Sequence, residues 1–312
     1  MDRVSTTNSY NVVLSGILRA QQSQNEANTQ LSTGKKAADL SGFSSDSQTL
    51  VAARTVKVQT ESYIKLNENL SRKLDNQNVY LTSTADAADM ARQAIANAIA
   101  NNSGTALMET LKLQFSAAVD SLNGQNEGQY LFAGSQTSTK PVSATSLSAL
   151  TAPTTVASIF QNDSEVQTNR LNNATSVTTG LTASDIATDL MTVFKNIQDY
   201  FVTNTVPPAV PFGSTLTTAE TNFLTTQMQY FASAHSGLTD RAALNGAIAN
   251  RVDTTITLQK ARVDTIDSMT SDLSDINEAE TISRLRLAQQ AVQAGAQVFV
   301  ALKSSSLLNY IN

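Results

Sequence analysis

Few side chains in this sequence have the type and spacing that chemistry needs. The chain has 312 residues, no Cys and a single His, which removes thiol nucleophiles, disulfide frameworks, Cys-rich zinc sites and any site built on two histidines. His235 has Asp240 near it in sequence and could serve a Ser in a triad. It lies in the helical stretch Met228 to His235, however, where a surface or interhelical imidazole is the plainer reading. The acid pairs Asp86/Asp89 and Asp272/Asp275 have helical i, i+3 spacing and could hold a cation or act as acid and base. A solvated helix face is the reading their surroundings favour. There is no glycine-rich phosphate loop, HExxH motif, nucleophile elbow or EF-hand loop. No nucleophile and base can be named together, so no catalytic residue, cofactor or metal ligand is assigned, and an enzyme is the class the sequence supports least.

Composition narrows the partners. Lys and Arg number 21 against 26 Asp and Glu, a net charge of −5, and no basic patch is segregated for a phosphate backbone, so no nucleic-acid partner is expected. Only 15% of residues are charged, while Ser, Thr, Asn and Gln together make up 120 of the 312. The N-terminal residues Met1 to Asn8 lack the basic and apolar regions of a secretory signal, and no apolar run of about 18 residues occurs. Specialised export routes read other addresses.

Long helices must position whatever the chain does. All five prolines lie between Pro141 and Pro211, leaving both flanks free of the strongest helix breaker. From Phe43 to Ser103 there is neither Gly nor Pro, and Leu70, Leu74, Gln77, Leu81, Thr84, Ala88, Ala91, Ile95 and Ala98 step by fours and threes, the pattern of a coiled-coil seam. A second long helix is expected on the return flank, with a stripe running from Arg241 and Leu244 through Ile248, Val252, Thr255, Gln259, Arg262 and Ile266 to Met269, Leu273 and Ile276. Leu107, Leu111, Phe115, Ala118 and Leu122 mark a shorter amphipathic helix ended by the Gly124 to Gly128 turn.

Each end of the chain repeats the pattern. Tyr10, Val13, Ile17, Ala20, Gln24, Ala27 and Leu31 form one stripe, and Leu285, Ala288, Val292, Gly295, Phe299 and Leu302 form the other. An isolated helix is marginal in water, so these stripes are expected to find their partners only between neighbouring subunits, with Leu307 and Leu308 continuing the contact. The opposite faces are neutral and small, as in Gln21 to Asn25 and Gln289 to Ala294, which argues against a membrane surface.

The middle, 140–212, reads as a β-rich outer insertion. Its candidate strands are Thr154 to Phe160 and Ser176 to Thr179, and Ile186, Leu190, Val193, Phe194 and Ile197 follow a helical period after a cap at Ser184. Tyr130, Phe160, Tyr200, Phe201 and Phe212 could line a ligand site, although aromatics in a small domain more often form its core. The fold class is therefore mainly α with a small β-rich insertion, a long antiparallel bundle from both flanks. Five segments are expected: 1–42, an assembly helix and linker; 43–139, the first part of the long helical domain; 140–212, the insertion; 213–280, its second part; and 281–312, the C-terminal assembly helix.

Four segments carry a family resemblance. Gln30-Leu31-Ser32-Thr33-Gly34-Lys35-Lys36 is similar to the "QLSSGKR" segment of flagellins, and Asn67-Glu68-Asn69-Leu70 follows in its helix. Gly128-Gln129-Tyr130-Leu131-Phe132-Ala133-Gly134 looks like a "GxYLFAG" motif, and the end from Leu302 to Ile311 is similar to an "SLFDYL"-like terminus. The sequence thus resembles the bacterial flagellin superfamily and, within it, the hook-associated protein 3 family at the hook–filament junction. The resemblance implies a structural subunit, extracellular in the flagellum and exported unfolded through the type III channel without a cleaved signal. It also implies terminal helices that pair on assembly, an export chaperone, contacts with a hook-side junction protein and with flagellin, and self-association in a ring or helical assembly. A filament flagellin is the nearest alternative, and a secreted helical binding module or effector the more distant one. Gly34 is expected at a left-handed or tight turn leaving the first helix.

Overall fold

The computed structural model of the chain describes residues 2–44, 46–151, 154–205 and 210–305. Six helices dominate: α1 (Asp2–Thr33), α2 (Asp46–Ala100), α3 (Leu107–Leu122), α4 (Ala183–Thr203), α5 (Thr218–Ser274) and α6 (Glu278–Ser305). Two small antiparallel hairpins complete it, β1 (Gln125–Asn126) with β2 (Gln129–Tyr130), and β3 (Thr168–Arg170) with β4 (Ser176–Thr178). The chain divides into two compact units, one of residues 60–260 and one made of 1–59 with 261–312.

The larger unit owes its core to the spacing of its apolar residues. All nine positions of the predicted α2 seam, Leu70 to Ala98, are buried, as are Leu107, Leu111, Phe115, Ala118 and Leu122 of α3. Ile186, Leu190, Val193, Phe194 and Ile197 bury the inner face of α4. At the centre Phe194 meets Phe115 edge-on at 5.4 Å and Phe231 of α5 at 5.0 Å, the geometry in which the positive edge of one ring faces the negative face of the next. Tyr200 stacks on Phe223 and on Phe212, and Phe160 and Phe201 pack against the same cluster. These aromatics are core.

Helix starts in this unit follow capping chemistry. The N-cap of α4 is Thr182, whose hydroxyl accepts from the Asp185 N–H at 3.4 Å. This corrects the expected cap at Ser184, which lies inside the helix, where its backbone carbonyl already accepts from the Thr188 hydroxyl. A reciprocal box opens α5. The Thr217 hydroxyl accepts from the Glu220 N–H, and the Glu220 carboxylate accepts from the Thr217 N–H at 2.7 Å and from the Phe212 N–H at 2.7 Å. Burial pushes the Glu220 carboxyl up, but those N–H groups and the Thr217 hydroxyl outweigh it and hold the group below the usual range.

Two expectations are corrected here. Thr154 to Phe160 is not a strand: Ala157–Ile159 is a short 3-10 turn, and Phe160 makes only an isolated bridge to Val142. Val156 and Ile159, three residues apart, are aligned by that turn and both pack on the core, an outcome alternation would have denied one of them. The α5 stripe also takes a different course. Leu244 and Met269 are exposed, at 61% and 46%, and Asn245 and Ala249 are buried instead. The seam advances through Leu238, Asn245, Ala249, Val252, Ile256 and Gln259, so small and amide side chains occupy it while a large aliphatic faces water.

In the smaller unit the terminal stripes cover one another within one chain. Tyr10 and Phe299 meet edge-on at 5.6 Å, Ala27 and Ala288 are buried, and Tyr10, Val13, Ile17, Ala20 and Leu31 on α1 are the partly covered positions, as are Leu285, Val292, Phe299 and Leu302 on α6. The stripes expected to meet between subunits thus face each other here within one chain. Two marginal helices with matching periods bury each other at a far smaller loss of freedom than two separate chains would incur. Leu307 and Leu308 lie outside the described residues.

Candidate assembly surface

Three features of the structure bear on function. The first is what the α1–α6 pair leaves uncovered. Val12, Leu14 and Leu18 on α1 and Leu287, Val298 and Val300 on α6 are exposed, between 46% and 64%, and they flank the seam rather than lie in it. Sequence reading assigned each terminal helix one stripe. The signal it passed over was the presence of aliphatics between the stripe positions, which an intramolecular pair does not need.

The second is a clasp at the far end of that pair, built from the Gln30 to Lys36 segment. Gly34 has φ +70°, and its N–H donates to the Gln30 carbonyl at 2.8 Å, closing α1 in the left-handed turn that glycine adopts without strain. Its own carbonyl accepts from the Ile276 N–H at 3.1 Å, and the Lys36 N–H donates to the Ser274 carbonyl at 2.8 Å. The Lys36 ammonium then donates to the carbonyls of Asp272 and Leu273, at 2.8 and 3.0 Å. Those are terminal acceptors of α5, a helix with no basic residue in its own last turn, so a cation more than 230 residues away in sequence supplies the charge its dipole favours. The Lys35 ammonium binds the Asp275 carboxylate, which also accepts from the Ser271 and Ser274 hydroxyls. Together these lower the Asp275 pKa to about 2. Gln30 finishes the clasp, donating to the Lys36 carbonyl at 2.8 Å and accepting from Arg284 at 2.9 Å.

The third feature is the glycine-punctuated segment after α3. Gly128 and Gly134 have φ +79° and +71°. Between them Tyr130 lies on β2, while Leu131 and Phe132 are buried, at 6% and 0%. The Phe132 carbonyl accepts from the Ala183 N–H at 2.9 Å, at the start of α4, and the Leu131 carbonyl accepts from Gln77 of α2 at 3.3 Å. The segment therefore ties α4 to the long-helix core. At Gly134 an added Cβ would meet Asp163, whose carboxylate takes the Ser135 N–H at 3.0 Å.

The residues considered for chemistry resolve into packing. The His235 Nδ1 lies 3.0 Å from the Ala85 carbonyl of α2, an interhelical contact. Asp89 pairs with Arg92 at 2.8 Å and with Gln93, which hold its carboxyl below the ordinary range, and Asp275 belongs to the clasp. Among the described residues no cluster of His, Asp or Glu could hold a metal ion, and no helix is long and apolar enough to cross a membrane.

The class these features define is a long-helix chain whose first and last described helices pair and whose segment after α3 is braced on the helices. Residues 228–311 match the bacterial flagellin C-terminal helical region. No curated protein matches the chain. Among solved structures it is similar to a putative flagellar hook-associated protein from Vibrio parahaemolyticus (TM-score 0.56, 18% identity, covering 72% of this chain and 96% of that one). It is also similar to FlgL of Bacillus cereus (TM-score 0.54, 14% identity, covering 72% and 99%). At those identities the likeness is one of fold. The resemblance read from both flanks is thus met, over residues 228–311, by the family match.

Proposed function

We propose that this chain is a structural subunit of the bacterial flagellum and acts as an adaptor at the junction between hook and filament. The observation that carries the reading is the likeness of fold, which takes in almost the whole of a hook-associated chain and of a FlgL chain. It is supported by a flagellin-type C-terminal region and by apolar flanks on a helix pair that has already satisfied its own seam. The subunit acts outside the cell, carries out no catalysis, and is delivered by type III export with a chaperone. The seam residues Tyr10 to Leu31 and Leu285 to Leu302 hold the two ends together, and the flanks beside them meet neighbouring subunits, the hook-side junction protein and the first flagellins. The segments 43–139 and 213–280 form the helical shaft, and 140–212 the outer insertion.

A filament flagellin is the second reading, favoured by the family that residues 228–311 match. Immunogold electron microscopy of intact flagella, with antibody against 140–212, separates the two. Label confined to a band at the hook end is the expected result, and label along the whole filament would make the chain a flagellin. Chains lacking 1–30 or 285–312 should keep the 60–260 unit folded and fail to incorporate. Normal incorporation of either would overturn the role given to the ends.

A further inference from the structure

The part of α2 and α5 nearest the boundary of the 60–260 unit is built differently from the rest. Ile64, Leu70 and Leu74 on α2, and Val252 and Ile256 on α5, are buried but belong to no part of the main core cluster, which begins at Leu81. A stretch of two-helix seam with a repeating apolar pattern fits its partner nearly as well after a slip of one turn, because the next ridge presents the same kind of residue. Something aperiodic must choose among the fits.

The β3–β4 hairpin is the aperiodic element in contact with it. Asn173 beyond β3 accepts from the Tyr63 hydroxyl at 2.7 Å, the Leu171 carbonyl meets Asn67, and Gln167 at the hairpin base meets Lys73. These contacts descend the hairpin as they ascend α2, so it lies along the helix for ten residues, roughly 15 Å. The Leu171 carbonyl is the centre of the arrangement. It accepts from the Asn67 amide of α2 at 3.0 Å and from the Gln259 amide of α5 at 2.8 Å, and those two side chains bond each other at 3.0 Å. All three residues are buried: Leu171 at 0% exposure, Asn67 at 1% and Gln259 at 8%. Further up, Asn245, at 3%, donates to the Leu74 carbonyl at 2.7 Å and ties the helices directly.

We propose that this hairpin is a register lock, in which one main-chain carbonyl of the outer insertion, read at once by Asn67 and Gln259, fixes the axial phase of α2 against α5. A slip of either helix by one turn separates the two amides and strands them, with the carbonyl, in a dry seam, where an unpaired polar group is costly. Buried amides that select one register at some cost in stability are an established device of coiled seams. Here the device has three members, and the third comes from outside the seam.

The test uses the absence of cysteine. Spin labels on Leu66→Cys of α2 and Leu244→Cys of α5, two exposed positions at different levels of the seam, are the only labels in the full chain, and double electron–electron resonance reads a distance that runs largely along the helix axes. The parent should give one narrow distance. Adding Asn67→Leu with Gln259→Leu should keep the helix content by circular dichroism and produce a second population displaced by most of one helical turn, about 4 Å. Glu68→Gln breaks the 2.7 Å ion pair to Lys260 at the same level and should leave the narrow distance unchanged. A single unshifted distance in the double-leucine chain overturns the proposal. So does loss of its helix content, which would make the amides supports of stability rather than of phase, and so does broadening in Glu68→Gln, which would assign the register to surface charge.

Discussion

Substituting single glycines by alanine separates three physical effects in the terminal helix pair. At Gly34 an added Cβ would meet no atom within 4 Å, so the whole cost comes from φ +70°. Holding an L-residue there costs about 1–2 kcal/mol, and with a urea slope of about 1–3 kcal/mol per molar the midpoint should fall by roughly 0.3–2 M. Gly16, inside α1, also has nothing within 4 Å. Its backbone is helical, so Gly16→Ala should stabilise by about 0.5–1 kcal/mol. Gly295 lies on the seam of α6 with Ile17 Cγ1 2.6 Å from the position a Cβ would take. Gly295→Ala should therefore destabilise by overpacking, about 1–3 kcal/mol less the gain in helix propensity. The assay is urea denaturation followed by circular dichroism, with hydrogen exchange of α1 peptides to localise each change. A midpoint for Gly34→Ala at or above the parent's would refute the left-handed closure of α1. Equal effects at Gly16 and Gly34 would refute the separation of strain from space.

Other expectations follow from single contacts. Phe194→Ala removes a fully buried ring that meets two others edge-on and should cost about 3–5 kcal/mol, read as a thermal shift. A loss below about 1 kcal/mol would show that the core closes over the gap. Thr217→Ala takes the hydroxyl from the α5 capping box and should cost about 1 kcal/mol, whereas an unchanged melting temperature would mean that Glu220 suffices alone. Asp275, with its pKa lowered to about 2 from 3.8, contributes stability present above its unfolded value and lost as pH falls from about 4 toward 2. Its side chain is 38% exposed, so solvent screening leaves under about 1 kcal/mol. The acid slope of the denaturation midpoint should flatten in Asp275→Asn, and an unaltered slope would place the clasp's strength elsewhere.

Much of this architecture could be read from side-chain spacing, because a seam is a local property. Every α2 position from Leu70 to Ala98 that steps by fours and threes is buried, and so are the α3 and α4 stripes. Both terminal stripes were legible for the same reason, and Gly34 because its turn needs only itself and Gln30 four residues earlier. What escaped depends on partners remote in sequence. Asn245 and Ala249 lie in the α5 seam while Leu244 does not, since a carbonyl on α2 and close helix approach reward them there. Lys36 as the cap of α5 needs two remote segments of the chain in one place, which no local pattern encodes. Thr154 to Phe160 has strand composition but pairs only at its end, through the bridge from Phe160 to Val142, and the core took Val156 and Ile159 in a turn instead.

The exposed aliphatics beside the terminal seam give the chain a concentration scale. Six side chains from Val12 to Val300 stay 46–64% exposed among the described residues, yet the pair they stand on is already closed, so association adds to a folded element instead of creating it. The apparent melting temperature of the terminal unit should then rise with protein concentration, as mass action requires whenever the folded form alone associates. A threshold concentration for assembly should move upward with each of these positions made polar. Leu18→Gln, at 56% exposure, would raise that threshold while leaving the dilute chain as stable as before.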